Sequence, residues 1–307
     1  MSQPRSTFRW YILVFLAPAT LIYTVFAIYP IIESLRLSLY HAGDQGDQFV
    51  GLANYAKLLN EPYWAEQFWN AFKNNVVLFL LHMLIQNPIA LALAALLSIP
   101  TLRGAATYRT IFFLPTLLSV VVVGFIWQLI LSPLWGITPS FLKLLGLREW
   151  FSPWLGLESS ALVTVTLISI WQYVGIPLML FYAALINIPE ETIEAARIDG
   201  LSGWWIFWKV KLPLILPTLG LVAILTYIGN FTASFDLIYT IQGGLAGPNF
   251  STDVMGTFLF RTFFGFQAQL GDEHMGATVA SALFFIILMG VSVYLFGIQR
   301  RLQRYDH

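Results

Sequence analysis

Long apolar stretches recur along the chain and are separated by more polar segments. A helix crosses the hydrocarbon core of a bilayer in roughly 20 residues, and six of these stretches are long enough to do so. The six stretches cover residues 10–33, 76–99, 107–132, 161–186, 212–235 and 276–298. The pattern therefore predicts an all-α integral membrane protein, with residues 1–307 forming a single transmembrane domain of six transmembrane helices.

The composition agrees with a membrane protein and excludes several other classes. Of the 307 residues, 58% are hydrophobic and only 10% are charged, a balance that the surface of a water-soluble globule does not tolerate. The 16 basic residues equal the 16 acidic ones, so no bulk charge attracts nucleic acid. The absence of cysteine excludes disulfide bonds and cysteine metal ligands.

The basic residues predict the orientation of the six helices. Because cytoplasmic loops carry an excess of Lys and Arg, the more basic side is expected to be the cytoplasm, and an even number of spans places both termini there. The run Ala17-Pro18-Ala19 has the small residues of a signal-peptide cleavage site, but the apolar run continues to Ile32, which predicts an uncleaved anchor. Ten of the 16 basic residues lie on the predicted cytoplasmic side, namely Arg5, Arg9, Arg103, Arg109, Arg197, Lys209, Lys211, Arg300, Arg301 and Arg304.

The longer loops, residues 34–75, 133–160 and 236–275, are expected on the opposite side. The first of them carries an aromatic stripe that has two interpretations, an interfacial aromatic belt or a specific docking surface. The stripe consists of Trp64, Phe68, Trp69 and Phe72.

Charged side chains are nearly absent between the ends of the predicted spans, the exceptions being Glu33, Arg36 and Lys73 near span ends. Ion-coupled transporters need an intramembrane group that binds the driving proton or sodium ion. If the protein moves a solute, its energy source is therefore expected to lie elsewhere.

Neutral polar residues in spans four and five form a candidate substrate cavity. Aromatic faces together with amide and hydroxyl groups suit a neutral, polyhydroxylated ligand. The alternative is that these residues only join helices by hydrogen bonds, which is the interpretation we favour for His82 and Gln86 of span two. The candidate cavity residues are Trp171, Gln172, Gly175, Thr226, Tyr227, Asn230 and Ser234.

No motif for covalent or metal chemistry is present. The chain has no phosphate-binding loop of the G-x-x-x-x-G-K-[ST] type, no G-x-S-x-G motif and no H-E-x-x-H motif. The four histidines, His41, His82, His274 and His307, are not spaced as metal ligand pairs. We therefore predict no catalytic residue and no metal site.

The loop at 187–211 differs in character from the rest of the chain. Acidic residues follow Pro189 in the first turns of a predicted helix, where the helix dipole favours anions, and Gly200 lets the chain leave that helix. Ala195 and Ala196 form a low-profile surface for another protein, and a Trp-rich interfacial helix with Lys209 and Lys211 is expected to precede the span that begins near Pro213. A simple amphipathic connector is the alternative interpretation.

This loop resembles the EAA loop of importer permeases in the ATP-binding-cassette (ABC) superfamily. The departures, Leu201 for a common Ala and Val210 for a common Ile, are both apolar. Other segments, such as "YRTIFFLPTLLSVVVVGFIWQLIL" and "NFTASFDLIYTIQGG", are similar to carbohydrate permeases of the maltose and glycerol-3-phosphate type. The matching loop residues are Glu194, Ala195, Ala196, Asp199, Gly200, Phe207, Leu212, Pro213 and Pro217.

The resemblance implies a type I ABC importer permease fold in a bacterial inner membrane. It implies half of a permease heterodimer, two cytoplasmic ATPases that bind ATP and Mg, an extracytoplasmic solute-binding protein and a carbohydrate substrate, with no cofactor in this chain. Glu194, Ala195, Ala196, Asp199 and Gly200 would couple the permease to an ATPase, and the stretch containing Asn230 would contribute sugar contacts. An importer for another neutral solute, a secondary transporter and an intramembrane enzyme remain the alternatives, in that order.

Overall fold

The structure is a computed structural model that describes residues 10–43, 46–267 and 269–299. Five of the basic residues behind the predicted orientation lie outside this part, as does His307. The described chain is mostly helical, which confirms the predicted all-α class. The five are Arg5, Arg9, Arg300, Arg301 and Arg304.

The α-helices, in chain order, are α1 Trp10–Tyr23, α2 Tyr29–Leu37, α3 Ala53–Asn60, α4 Pro62–Leu81, α5 Asn87–Leu97, α6 Ala105–Phe113, α7 Val120–Leu131, α8 Ile137–Leu144, α9 Glu158–Tyr173, α10 Gly175–Ile186, α11 Glu190–Ile198, α12 Gly203–Ile206, α13 Leu212–Leu214, α14 Leu216–Thr232, α15 Ser234–Gln242, α16 Met255–Phe264 and α17 Glu273–Val293. Wider π turns occupy Thr24–Ile28, His82–Gln86, Phe207–Lys211 and Tyr294–Gln299, and 3₁₀ turns occupy Leu114–Leu117, Arg148–Trp150 and Pro248–Phe250. An antiparallel hairpin of β1 Tyr40–Gly43 and β2 Gly46–Phe49 completes the described elements.

Three helical runs are long and apolar enough to cross a membrane unbroken, namely Val14–Leu37, Pro62–Leu97 and Glu273–Gly297. Three further candidates are bent pairs, so the described chain has three to six candidate spans. The pairs are Ala105–Leu117 with Val120–Leu131, bent by 96°, Glu158–Tyr173 with Gly175–Ile186, bent by 44°, and Gly203–Leu214 with Leu216–Thr232, bent by 67°. Six spans, as predicted, result if each bent pair crosses once.

Two predicted boundaries are wrong. The second span was expected from residue 76, but its helix begins at Pro62 and includes the aromatic stripe. Trp64 and Phe68 are buried in the structure, whereas Trp69 is about half exposed, so the stripe is not one exposed surface. The third span was expected as one helix, but its backbone is extended at Leu118 and Ser119, just after a turn that contains Pro115.

Two compact units divide the chain. In the first, which comprises the described part of residues 1–65 with Thr262–Ala282, the buried Ser38 is the central polar contact. Its carbonyl accepts a hydrogen bond from Asn54 Nδ2 at 3.0 Å, and its hydroxyl lies 2.8 Å from the Tyr55 hydroxyl. Asn54 Nδ2 also donates to the Tyr40 carbonyl at 2.7 Å. These bonds hold the end of α2, the start of the hairpin and α3 together.

The second unit, the described part of residues 66–261 and 283–307, contains two apolar clusters. One cluster joins α4, α7, α9 and α15 around Val165 and Ile238. The other joins α5, α10 and α14 around Leu178 and Phe181. The packing is close at Gly124, because a Cβ atom there would lie 2.5 Å from the Thr240 side chain on α15. A Gln128 Nε2 bond of 2.6 Å to the Ile241 carbonyl fastens α7 to α15 at the same place.

Asparagine side chains on α4 hold the loop between α15 and α16. Asn70 donates to the Phe250 carbonyl at 2.9 Å, and Asn74 donates to the Asp253 carbonyl at 2.8 Å. Asn75 donates to the Asn230 carbonyl at 2.6 Å and accepts the Met255 amide hydrogen at 2.8 Å. These side chains thereby satisfy backbone groups of the loop at Phe250, Asp253 and Met255.

A buried ion pair stabilises the same loop. Arg261 Nη2 lies 2.7 Å from Asp253 Oδ2, and both side chains are almost fully buried. Arg261 Nη1 also donates to the Gly244 carbonyl at 3.2 Å, and the guanidinium lies 4.7 Å from the centre of the Phe250 ring. Because the charge is desolvated, the pair depends on each partner.

Breaking this pair is expected to destabilise the protein strongly. Asp253→Asn leaves the Arg261 charge buried without its counterion, which costs about 3–5 kcal/mol, whereas Glu61→Gln at the exposed Lys57–Glu61 pair costs about 0–1 kcal/mol. Thermal unfolding of the purified chain in detergent measures both. Equal melting temperatures for the two variants would contradict the assigned role of the buried pair.

Candidate functional site

A cavity of about 240 Å³ lies in the second unit, lined by residues of α4, α9, α10, α14 and α15 and of the π turn at His82–Gln86. Members of both apolar clusters line it, for example Val165 and Val222. Its polar lining residues carry no formal charge and are His82, Gln86, Ser169, Tyr173, Thr226, Asn230 and Ser234.

The backbone is irregular in each of the three helical runs that enclose the cavity. The second span widens into a π turn at His82–Gln86, the fourth breaks at Val174, and the fifth breaks at Ala233. Such irregularities inside a membrane are tolerated where protein or a cavity satisfies the freed backbone groups, and they often mark functional sites. The cavity therefore lies beside the three positions at which the regular helix is interrupted.

Three of the predicted cavity residues line the cavity together. Thr226, Asn230 and Ser234 follow one another at intervals of four residues, so they lie on one helix face that continues across the break at Ala233. Their donors are directed at their own helix: Thr226 to the Val222 carbonyl at 2.8 Å, Asn230 to the Thr226 carbonyl at 2.8 Å and Ser234 to the Asn230 carbonyl at 2.6 Å. This face therefore presents mainly oxygen acceptors to the cavity.

The predicted residues of span four lie outside the cavity lining. Trp171 is 43% exposed and packs edge-on against Trp127, with 5.6 Å between ring centres. Gln172 is fully buried, and its Nε2 donates to the Leu118 carbonyl at 3.2 Å. A Cβ atom on Gly175 would lie 2.8 Å from the Phe112 carbonyl oxygen, so this glycine permits a close backbone approach.

Tyr227 is also outside the lining. Its hydroxyl donates to the Ile286 carbonyl at 2.7 Å and thereby joins α14 to α17. Successive helical residues are turned by roughly 100°, so Tyr227 is turned from Thr226 toward α17, although it stands only three residues before Asn230. Four of the seven predicted cavity residues, Trp171, Gln172, Gly175 and Tyr227, therefore lie outside the lining.

Four polar lining residues, His82, Gln86, Ser169 and Tyr173, were absent from the prediction. His82 Nδ1 donates to the Leu78 carbonyl at 2.8 Å, which leaves Nε2 to accept from the Ser169 hydroxyl at 3.1 Å. These bonds join spans two and four, as expected for His82, and the ring also lines the cavity. Tyr173 and Ser169 are likewise four residues apart, and this spacing is the signal that could have identified their shared face.

Gln86 differs from the other lining residues. It is 5% exposed, and its Oε1 has no hydrogen-bond partner among the described residues. A buried amide oxygen without a partner destabilises the protein, whereas a ligand hydroxyl that donates to it would satisfy it. Gln86 is therefore the lining residue with the clearest unmet hydrogen-bonding capacity.

The candidate coupling segment begins with α11. The helix ends in a Schellman motif, in which the Leu201 amide donates to the Ala196 carbonyl and the Gly200 amide to the Arg197 carbonyl, each at 3.0 Å. Gly200 has φ +83°, a left-handed conformation that favours glycine. This confirms that Gly200 lets the chain leave the helix.

The exposed surface of α11 differs in one respect from the prediction. Glu194, Ala195 and Asp199 are exposed, and so is Ile198, at 86%. Ala196 is only 6% exposed, so the expectation that it offers a surface to another protein is wrong. Its position nearly two turns along this short amphipathic helix places it on the inward face.

Residues Gly203–Leu214 form the expected Trp-rich helical segment. Trp204, Trp205 and Trp208 are exposed, and the Lys209 ammonium lies 5.0 Å from the Trp205 ring centre. The turn into span five was expected near Pro213, but the 67° bend lies at Ile215, and α14 begins at Leu216, just before Pro217. Within the described residues, no three His, Asp or Glu side chains are grouped to hold a metal ion.

Comparisons with known proteins agree with this architecture. A family model described as "Binding-protein-dependent transport system inner membrane component" matches residues 93–304. The lactose transport system permease protein LacF of Rhizobium radiobacter is 31% identical over 92% of this chain and 90% of its own length. The sn-glycerol-3-phosphate transport system permease protein UgpA of Shigella flexneri is 30% identical over 94% of this chain and 95% of its own length.

A solved structure has the same fold. It is a crystal structure of a bacterial ABC transporter involved in the import of the acidic polysaccharide alginate. One of its chains superposes with a TM-score of 0.76 over 95% of this chain and 96% of its own, at 24% sequence identity. The predicted importer permease fold is thereby confirmed.

Two glycine substitutions separate a packing role from a lining role. Gly175→Ala is expected to lower the melting temperature, because the new methyl group would collide with backbone atoms of Phe112 and Phe113. Gly229→Ala has open space and adds helix propensity of about 1 kcal/mol, so its melting temperature should be unchanged or higher. Detergent thermal-shift measurements on the two variants test this, and a Gly175→Ala protein as stable as the parent would refute the close approach.

Proposed function

The chain belongs to the family of binding-protein-dependent transport system inner membrane components, the permease subunits of ABC importers, and we propose that its substrate is a neutral carbohydrate. It is a transport subunit rather than an enzyme. In the proposed complex it forms half of the pathway in a bacterial inner membrane, beside a second permease. Two cytoplasmic ATPases bind ATP and Mg, a solute-binding protein delivers the sugar, and this chain needs no cofactor of its own.

We base the proposed class of substrate on the residues that line the cavity. Among its described residues it contains hydroxyl, phenol, amide and imidazole groups and no Asp, Glu, Lys or Arg. Neutral sugars pair through hydroxyl groups that both donate and accept, and such a lining serves them without a fixed charge. LacF, by its name, serves a neutral sugar and UgpA an anionic phosphate ester, so similarity alone does not choose between these classes. The uncharged lining favours the neutral class.

The proposed binding face combines donors and acceptors from different helices. α14 and α15 supply oxygen acceptors, including Asn230 Oδ1, while Gln86 on the second span and Tyr173 on the fourth supply an amide and a phenol. Neither Trp171 nor Gln172 takes part. A sugar bound here would replace missing partners of Gln86 rather than compete with existing bonds.

The coupling segment and the cavity share a continuous stretch of backbone. α11, the Schellman turn, the helical segment Gly203–Leu214 and α14 follow one another, and α14 carries Thr226 and Asn230. With α11 held in an ATPase, closure of the ATPases would turn this stretch and reshape the cavity. A switch of this kind needs two global states that the ATPases and the sugar favour differently.

Both termini and α11 are proposed to face the cytoplasm. Ten of the 16 basic residues lie on that side and six lie on the longer loops opposite, and this bias supports the orientation; the described members of the ten are Arg103, Arg109, Arg197, Lys209 and Lys211. Lys209 and Lys211 lie beside exposed tryptophans, an arrangement suited to the headgroup layer.

The cavity assignment is tested with Gln86→Leu. Removing the unpaired amide should leave the melting temperature unchanged or raise it, since the substitution removes an unsatisfied polar group. Losing one hydrogen bond to the sugar costs about 1 kcal/mol, so the apparent affinity in transport should fall roughly fivefold. Uptake of radiolabelled neutral mono- and disaccharides, lactose included, into vesicles with the assembled importer gives this number.

Trp171→Phe is the matched control for the cavity, because Trp171 lies on the same helix as Tyr173 but outside the lining. Its uptake should equal that of the parent protein. If Gln86→Leu transports normally while Trp171→Phe does not, the cavity described above is not the sugar site.

The coupling assignment is tested with Ile198→Asp. Ile198 is exposed at the end of α11, so the substitution should not affect folding, but a charge there would be desolvated within an ATPase cleft. The purified complex should lose its ATPase subunits and its uptake. Ile99→Asp, at another exposed isoleucine on the predicted cytoplasmic side, should retain both. Co-purification of the ATPases with Ile198→Asp at the parental ratio would rule out docking through this end of α11.

A further inference from the structure

Helix α8 carries an apolar face that is directed outward. Ile137, Phe141 and Leu144 are spaced at i, i+4 and i+7, so they lie on one side of the helix, and all three are exposed, Leu144 at 83%. Thr138 and Leu142 occupy the partly buried side. A water-facing helix of a folded protein shows the reverse arrangement, with its apolar face inward.

The orientation of α8 is fixed by a turn directly after α7. The Gly136 amide donates to the Ser132 carbonyl at 2.9 Å, and the Thr138 hydroxyl donates to the Ile130 carbonyl at 2.7 Å. The Trp135 amide donates to the Ser132 hydroxyl at 3.2 Å. A Cβ atom on Gly136 would collide with the Ser132 and Ile130 carbonyl oxygens, so the turn is tight. The outward apolar face is therefore a built feature of this segment.

The surface on either side of α8 is of the same kind. On α7, Phe125 and Leu129 are exposed apolar residues of a candidate span. Leu134 and Trp135 continue this exposed apolar surface, each more than 80% exposed, and Trp150 follows α8 with 74% exposure. Tryptophan is enriched at the boundary between acyl chains and headgroups, because its ring is apolar and its N–H is polar.

The polar residues of the segment lie to the side of this face. Lys143 is exposed and is turned by roughly 120° away from the line of Ile137, Phe141 and Leu144, whereas the exposed Ser140 borders this face. Lys143 and Arg148 are basic, which complements the phosphate groups of lipids. A solute-binding protein that docks and leaves would expose such a large apolar face to water at each cycle.

We propose that residues 134–150 form an interfacial segment in which α8 lies in the plane of the membrane surface. Ile137, Phe141 and Leu144 are immersed at the boundary of the acyl chains, while Lys143 and Arg148 lie at the level of the lipid phosphates. The segment would hold the end of α7 at a fixed depth in the bilayer. This inference does not depend on the proposed substrate.

Labelling at single cysteines tests the proposal, since the chain contains no native cysteine. Nitroxide labels are placed with Phe141→Cys and Leu144→Cys on the apolar face and with Ser140→Cys and Lys143→Cys beside it, in the full chain in phospholipid nanodiscs. Collision with molecular oxygen, which concentrates in lipid, is compared with collision with a water-soluble nickel chelate. Oxygen collisions should dominate at 141 and 144, nickel collisions should dominate at 143, and the label at 140, which borders the apolar face, should give an intermediate ratio.

Two outcomes would overturn the proposal. Nickel collisions dominating at all four positions would place the apolar face in water. Labels at 141 and 144 that are inaccessible to both reagents would show that protein, such as a second copy of the chain, covers the face instead of lipid. Because all four side chains are exposed, the labels themselves should leave the fold intact, which the melting temperature of each variant verifies.

Discussion

In a bilayer, a backbone carbonyl that loses its helical partner must find another inside the protein, and the cavity of this permease depends on that constraint. The break at Ala233 frees the Asn230 carbonyl, which accepts bonds from the Ser234 hydroxyl and from Asn75. Beside the break at Val174, the Gln172 carbonyl accepts from the Thr116 hydroxyl at 2.9 Å. The helices can therefore stay broken around an uncharged space without exposing backbone to lipid.

Some aspects of the structure were predictable from the sequence because they depend on local composition. Others were not, because they depend on hydrogen bonds and contacts between residues that are distant in the chain. Hydropathy located the apolar segments, and turn chemistry identified Gly200, because both depend on local composition. The assignment of faces failed at Trp171, Gln172 and Tyr227, whose partners come from residues distant in the chain. Gly175 was mistaken for a lining residue because a glycine needed for close packing and one needed for ligand access look alike in a sequence.

Within the second unit, the loop that holds Asp253 and Arg261 is stabilised by charged side chains, whereas the cavity is lined by uncharged ones. Outside the candidate spans, Asp253 and Arg261 are buried together and organise a loop, where each charge is matched by the other. Around the cavity, the polar side chains are uncharged. A fixed charge there would carry a large desolvation penalty in lipid surroundings and would favour binding of an oppositely charged solute. The His82–Ser169 bond shows how an imidazole joins two spans.

The hydrogen-bond inventory of the cavity also distinguishes structural residues from candidates for binding. Thr226, Ser234 and His82 already have partners that shape the helices, so removing them would damage the structure before it affected a ligand. Gln86 has no such partner for its Oε1, and a leucine at this position would fill similar space without a buried polar atom. The unpaired Oε1 of Gln86 therefore lowers the stability of the chain, and no contact within the described residues compensates for it. In the proposed function, a sugar hydroxyl would supply the missing bond, and the second span would then form part of the pathway.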